Sequence, residues 1–227
     1  MASDLLTILI PALNEEKTIE IVIKKAQKWL NDRNIDGEIL IANNGSTDNT
    51  KEIALKNGAR VIDIEQKGYG SALISGIENS KGKYIIFGDA DDSYNFLEID
   101  GMYDKLKDGN DIVIGNRYAG KMEKGSMKFS HKFIGTPILS FLIRKKFKLN
   151  LNDINCGLRG IKKDAIIKLN CKSSGMEFAS EMLIKAAKAK LKIEEIPINF
   201  YKDKRNSKPH LKTLQDGVRH LKIILKE

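Results

Sequence analysis

Short apolar runs alternate with amphipathic stretches along the first half of the chain, and this alternation limits the possible folds more than any other feature. Leu5 to Leu13 reads as a strand broken at Pro11, followed by strands over Gly37 to Asn44, Ala59 to Glu65, Lys83 to Gly88 and Asp111 to Gly115. Between the first two, Glu15 to Asn31 places Ile19, Val22, Ile23, Ala26, Trp29 and Leu30 on one face at helical spacing. Thr47 to Asn57 reads as a short helix stopped by Gly58. Ser71 to Ser80 reads as a helix entered through Gly68-x-Gly70, and Phe96 to Lys107 as another. Strands separated by helices pair in parallel. The predicted fold is therefore α/β: a Rossmann-like, doubly wound, mostly parallel sheet with helices on both faces and ligands at the strand carboxyl ends.

The second half is less regular. An apolar segment, Phe133 to Ile143, is flanked by His131 and Lys132 on one side and Arg144, Lys145 and Lys146 on the other. Cys156 to Ile161 reads as a short strand, Gly175 to Lys190 as a helix, Ile193 to Phe200 as a strand and Tyr201 to His210 as a basic loop. The last helix carries Leu211, Leu214, Val218, Leu221, Ile224 and Leu225 on one face, surrounded by Lys212, Arg219, His220, Lys222 and Lys226. Such a helix either packs on its own domain or lies on an anionic membrane surface.

At 227 residues the expectation is a single domain over 1–227, and 41% apolar residues suffice for its core. Cys156 and Cys171 match no zinc or redox spacing and read as reduced thiols of a cytosolic protein. The start, MASDLLTILIPALNEE, has neither the basic flank nor the cleavage site of a signal peptide, and no apolar run approaches the ~20 residues that span a bilayer. The net charge of +9 comes from 39 basic residues, of which 32 are lysine, and the stretch from Lys121 onward is strongly basic. That balance suits a membrane surface or anionic small molecules. No helix-turn-helix, zinc-finger or RNP-type motif points to nucleic acid.

The fourth strand, Tyr84-Ile85-Ile86-Phe87, runs through Gly88 into Asp89, Asp91 and Asp92. Three carboxylates gathered at a strand end are costly unless a cation neutralises them. Mg²⁺ or Mn²⁺ fits this pattern, because such ions take one or two carboxylates and leave other positions to phosphate and water. Two other strand ends carry polar clusters, Pro11 to Glu16 and Ala42 to Asp48, suited to a base and ribose. The plain alternative is helix capping, for which Ser46 and Asp48 are suitable. Lys67-Gly68-Tyr69-Gly70 adds a cation and a glycine turn that a phosphate can approach closely.

The ordered set ILIPALNEE (8–16), NNGSTDNT (43–50), KGYGSAL (67–73), GDADDSY (88–94), IGNRYAG (114–120), DINCGLRG (153–160) and GMEFASEM (175–182) spans nearly the whole chain. In it the sequence resembles the inverting nucleotide-sugar glycosyltransferases of family two, which have the GT-A fold. Within that family it is most similar to the polyprenyl-phosphate sugar synthases of the dolichyl-phosphate mannose or glucose type. The resemblance implies transfer of a hexose from a UDP- or GDP-sugar to a polyprenyl phosphate, with Mg²⁺ or Mn²⁺, by a peripheral enzyme on the cytoplasmic face of a membrane. Residues 1–120 would then form the nucleotide-sugar half and 121–227 the acceptor half.

Carried over by position, the resemblance sets Pro11, Ala12, Asn14 and Glu16 against the nucleoside, with Lys67, Gly70 and Ala90 also on the donor. Asn43 and Asn44 stand where the family usually has two aspartates, which leaves the base open, because an amide donates as well as accepts. Asp89 and Asp91 match the family's DxD, Asp91 as metal ligand and Asp89 facing ribose or metal, while Asp92 departs from the commoner pattern and is expected behind that pair. Arg117 matches the arginine that grips an acceptor phosphate, a task suited to its planar fork. Arg159 either orients the acceptor loop or pairs with Asp153. Arg205, Lys208 and His210 lie on a loop that either closes over the diphosphate or stays solvated.

Glu181 matches an acid region that acts as general base toward hydroxyl acceptors, with Glu177 one turn away. A phosphate acceptor needs no such base, and an ion pair of Glu181 with Lys185 is the structural alternative. A hydroxyl acceptor, a nucleotidyltransferase and a non-catalytic basic protein docking on a membrane are the competing functions. Relatives of this type continue after a similar DGxRHL segment into membrane helices. The end at Glu227 fits a peripheral form or a shortened chain.

Overall fold

The computed structural model describes residues 5–205 and 213–226. Seven strands form one sheet: β1 (Leu6–Ala12), β2 (Gly37–Asn43), β3 (Arg60–Asp63), β4 (Tyr84–Phe87), β5 (Ile112–Asn116), β6 (Arg159–Lys162) and β7 (Ile193–Pro197). Their order is β3-β2-β1-β4-β6-β5-β7. All pairings are parallel except the two made by β6, which runs antiparallel to both β4 and β5. The helices are α1 (Ile19–Asp32), α2 (Thr50–Lys56), α3 (Tyr69–Asn79), α4 (Asp100–Lys107), α5 (Thr136–Phe147), α6 (Lys163–Leu169), α7 (Phe178–Lys188) and α8 (Thr213–Lys226).

Two apolar layers cover the sheet, as alternation along each strand requires. Leu6, Ile8 and Ile10 of β1 share one layer with Ile39, Ile41 and Ile86, beneath α1 and α4. Leu9 shares the other with Leu40, Ile85, Phe87 and Ile161, beneath α3, α6 and α7. The buried face of α1 consists of the six residues whose spacing defines it: Ile19, Val22, Ile23, Ala26, Trp29 and Leu30.

Several expectations need correction. Strand β1 is not broken at Pro11 but continues to Ala12. Even-numbered residues of β1 bond toward β2, as Leu6 N to Asp36 O and Asn44 N to Ala12 O show. Pro11 therefore points its missing N–H toward β4, whose pairing with β1 ends at Leu9, so no ladder bond is lost. The helix expected over Phe96 to Lys107 is a 3₁₀ turn, Phe96–Glu98, followed by α4. Helix α6 was not expected at all. The segment around Phe133 begins as a π-helical turn, His131–Gly135, before α5, where Pro137 lies in the first turn and needs no donor. Lys208, His210 and Leu211, and the side chain of Leu214, lie outside the described residues.

The antiparallel strand matters for function. Because β6 enters the sheet with Arg159 opposite Phe87 and Ile114, the loop that precedes it, 153–158, lies at the edge where β4 and β5 end. The chain also crosses from one side of β1 to the other on passing from β3 to β4. Such a switch point opens a crevice at the strand carboxyl ends.

Candidate active site

The centre of this edge is the turn after β4. Asp89 and Asp91 are close enough for their charges to repel, and Asp91 is 8% exposed. Burial first, and then the charge of Asp91, pushes Asp89 up to about 6, although Tyr69 donates to its Oδ1 at 2.9 Å. Gly157, from the loop before β6, lets the turn approach: a Cβ there would lie 2.8 Å from Asp89 Oδ2. Asp91 Oδ1 accepts from Ser93 N at 3.0 Å, which directs its other oxygen outward.

Arg205 meets that outward oxygen. Its Nη2 lies 3.2 Å from Asp91 Oδ2, its Nη1 3.0 Å from Glu15 Oε1, and Asp203 holds it from behind at 2.6 Å. Burial opposes the guanidinium charge, but Asp203, Asp91 and Glu15 outweigh it and raise its pKa. Burial likewise pushes Glu15 up to about 7; Arg205 pulls it down and the charge of Asp91 adds to the rise. The segment after β7 is laid across the turn by Tyr201 N to Ser93 O and Lys204 N to Asp91 O. Asp92, at φ +62°, is fully buried between Lys25 and Lys204, at 2.6 and 2.7 Å. It is thus a fastener of the loop and not a group facing the crevice.

The donor set fits a divalent ion. A guanidinium bridges two carboxylates from different strand ends, and Asp89 holds its charge only against the repulsion of Asp91. Both are signs of a position that calls for positive charge. Among the described residues no group of three or more His, Cys, Asp or Glu side chains is arranged as a metal cage, so an ion there would rely on phosphate oxygens as well.

The two other strand ends are tied to each other. Asn14, at φ +54°, donates its N–H to Ser46 Oγ and accepts from Thr47 N at 2.8 Å. Glu16 accepts from Asn49 through N and Nδ2, and its own N–H bonds Asp48. Asp48 also accepts from Thr50 N, which makes it a helix-start residue. Asn43 and Asn44 are buried; Asn43 donates to Asp63 and accepts from Ser46 N, and Asn44 donates to Gln66 O and accepts from Gly68 N. Both amides thus shape loops. Pro11 and Ala12 are buried at the strand end, Ala90 packs in the core beneath α1, and Lys67 is exposed beside Gly45.

The glycine turn is corrected. A Cβ at Gly70 would collide with the carbonyl oxygen of Ser173, and one at Gly68 with that of Ser174. These glycines admit the protein's own 173–175 loop on the side where their Cβ atoms would lie.

Arg159 is corrected too, and Arg117 is held by an acid from the loop before β6. Arg117 extends just past β5, and its Nε and Nη2 clamp the Asp153 carboxylate, both at 2.7 Å, in a buried bidentate pair. Its guanidinium also lies 5.1 Å from the centre of the Phe200 ring. Arg159, only 1% exposed, pairs with no acid among the described residues: it donates to the carbonyls of Cys156, Ile154 and Ala179. It is a core strut and not a phosphate ligand. Glu181 takes the structural alternative, accepting from Lys172 N and Ser173 N and pairing with Lys185 at 2.7 Å. Burial opposes its charge, but these donors outweigh it and hold its pKa down.

Sequence reasoning missed Glu15, Asp203 and His131. The Glu15-Glu16 doublet was visible, but which acid turns inward depends on the φ of Asn14. His131 lies near Arg117 and Lys128: burial, then the charges of Lys128 and Arg117, lower its pKa. This basic group stands at the head of an exposed apolar strip of Phe129, Phe133, Ile134, Ile138 and Phe141, each more than half exposed.

Residues 7–169 match the model of glycosyl transferase family 2. The chain is 37% identical, over 97% of its length, to the low-salt glycan biosynthesis hexosyltransferase Agl6 of Haloferax volcanii, of which it spans only 53%. It is 29% identical to the glycosyltransferase AglJ of the same organism, over 94% of this chain and 69% of that one. The glucosyl-3-phosphoglycerate synthase of Mycobacterium tuberculosis, solved with Mn²⁺, uridine diphosphate and phosphoglyceric acid, superposes with a TM-score of 0.78 at 22% identity. That match covers 97% of this chain and 77% of the other, and at this identity it concerns the fold.

Proposed function

Since the chain belongs to glycosyl transferase family 2, we propose that it moves a hexose from a nucleotide-diphosphate sugar onto a polyprenyl phosphate, at the cytoplasmic surface of a membrane. The observation that carries the donor half is the Asp89–Asp91 pair, bridged to Glu15 by Arg205 at the sheet's switch point. The hexosyltransferase name of Agl6 and the Mn²⁺ and uridine diphosphate of the structural neighbour support the same chemistry. A Mg²⁺ or Mn²⁺ ion held by Asp91 and Asp89 would neutralise the leaving diphosphate. Pro11, Ala12, Asn14, Glu16, Asn43, Asn44 and Lys67 surround the crevice in which the nucleoside and diphosphate would lie.

In this reading residues 1–120 hold the donor and 121–227 present the acceptor. The phosphate oxygen attacks the anomeric carbon as the nucleoside diphosphate leaves, which inverts that centre. Arg117 and Lys128 supply positive charge for the acceptor phosphate, with the uncharged His131 imidazole beside them, and the apolar strip next to them suits a polyprenyl chain and a lipid surface. The anionic acceptor needs no general base, in keeping with a Glu181 committed to Lys185 and the 172–173 backbone. No helix among the described residues is long and apolar enough to cross a membrane; the contact proposed is made by the exposed apolar strip.

The test is binding and turnover of UDP-glucose, UDP-GlcNAc and GDP-mannose with Mn²⁺, Mg²⁺ or chelator, in wild type and Asp91→Ala. One donor bound only with metal, and lost in Asp91→Ala, supports the donor half; no metal-dependent binding of any donor overturns it. Transfer to polyprenyl phosphate that survives in Glu181→Ala supports the acceptor half. Activity toward saccharide hydroxyls that disappears in Glu181→Ala would replace it with the hydroxyl-acceptor reading.

A further inference from the structure

We propose that Glu195 of β7 is a positioning residue for Arg117. The proposal rests on the reading of Arg117 as the grip on the acceptor phosphate. Glu195 pairs with Ile114 on the neighbouring strand β5, two residues before Asn116. Its carboxylate collects four hydrogen bonds. Oε1 accepts from Asn152 N at 2.7 Å and Asp153 N at 2.8 Å, and Oε2 accepts from Asn116 Nδ2 at 2.8 Å and Asn152 Nδ2 at 3.0 Å. One side chain therefore fastens the end of β5 to the loop that carries Asp153. Asp153 in turn receives Arg117 three times, from its N–H at 3.1 Å and from Nε and Nη2. Glu195 thus holds the Asn152-Asp153 backbone from the side opposite to the Arg117 fork.

The chemistry of the four donors makes the carboxylate hard to replace. Asn116 cannot turn its amide over, because its Oδ1 already accepts from Tyr118 N and Ala119 N. Asn152 is held the same way, with its Oδ1 accepting from Arg144. A glutamine at 195 has one acceptor oxygen and one amino group. Whichever way it is placed, its amino group faces two fixed N–H donors: the two backbone amides, or the two side-chain amides. The isosteric neutral residue is therefore a donor–donor conflict, and the loop carrying Asp153 must shift. Arg117 moves with Asp153, since its fork is fixed to both carboxylate oxygens.

The test is Glu195→Gln in the full chain, read in two ways. The first uses no turnover: the Nε–H resonance of Arg117, assigned by its loss in Arg117→Lys, is expected to be protected from exchange in wild type and to lose that protection in Glu195→Gln. The second is kinetic. The KM for polyprenyl phosphate is expected to rise on the order of tenfold, as a displacement of an ångström or less can produce, while the donor KM stays put. In an Arg117→Ala background, Glu195→Gln should add nothing further. Unchanged protection of the Arg117 Nε–H, or additive effects in the double variant, overturns the proposal. If wild type transfers to no polyprenyl phosphate, the acceptor reading fails, and the Arg117 resonance still decides the role of Glu195. If Glu195→Gln does not fold, Asn152→Ala removes one of the four donors and is expected to weaken the same protection.

Discussion

Asp89 and Asp91 show how burial makes an ordinary acid pair call for positive charge. An ion there needs Asp89 ionised, and Asp89 is pushed up to about 6 by burial and then by Asp91. Below that pH a proton must leave as the ion enters. Affinity for Mn²⁺ with nucleotide should therefore fall about tenfold per pH unit below 6 and level off above 7, which calorimetry from pH 5 to 8 would check. The sign for stability is the opposite. The folded pKa of Asp89 lies above its ordinary value of 3.8, so between those two values the folded protein keeps a proton that the unfolded chain has lost. The Asp89 contribution to the stability of chelated protein is present at low pH and is lost as pH rises from about 4 through 6. Asp89→Asn should remove that part of the pH dependence in denaturant melts.

At the scale of elements, the contact between α3 and the 173–175 loop is close enough to exclude a methyl group. Gly70→Ala should destabilise the protein by about 1–3 kcal/mol, the usual cost of overpacking. Urea denaturation would show it as a lower midpoint at an unchanged slope. Helix α5 and the turn before it raise a separate expectation. Phe133 and Phe141 are 57% and 53% exposed, so replacing both by glutamate should leave the melting temperature nearly unchanged. The same change should remove binding to vesicles that contain anionic lipid, measured by co-sedimentation at low and high salt. Retained binding would mean that this strip does not meet the bilayer.

Arg159 works at the scale of the whole molecule. It starts the antiparallel strand at the centre of the sheet and, through Ile154, Cys156 and Ala179, joins the site loop to α7. Arg159→Met would leave three carbonyls without their donor. Each carbonyl left unsatisfied is expected to cost about 1–3 kcal/mol, seen together as a large drop in thermal stability, with nucleotide affinity retained in the fraction that stays folded.

The sequence by itself determined the alternating strands and helices of the first half, the buried face of α1 and the acid cluster at the end of a central strand. These are local facts: side-chain period sets which face is buried, and a strand that ends in aspartates must deliver them to an edge. Family membership was also legible, because seven short motifs keep their order. What only the tertiary structure decided was who meets whom. It turned Glu15 rather than Glu16 toward Asp91, gave Asp153 to Arg117 rather than Arg159, and filled the glycine turn with the 173–175 loop. It also ran β6 against its neighbours. An ion pair between residues 36 positions apart, or a carbonyl seated on a distant glycine, leaves no periodic trace in the sequence. Such contacts are chosen by the packing of the whole sheet, where a buried charge takes whichever partner the fold brings within hydrogen-bond reach.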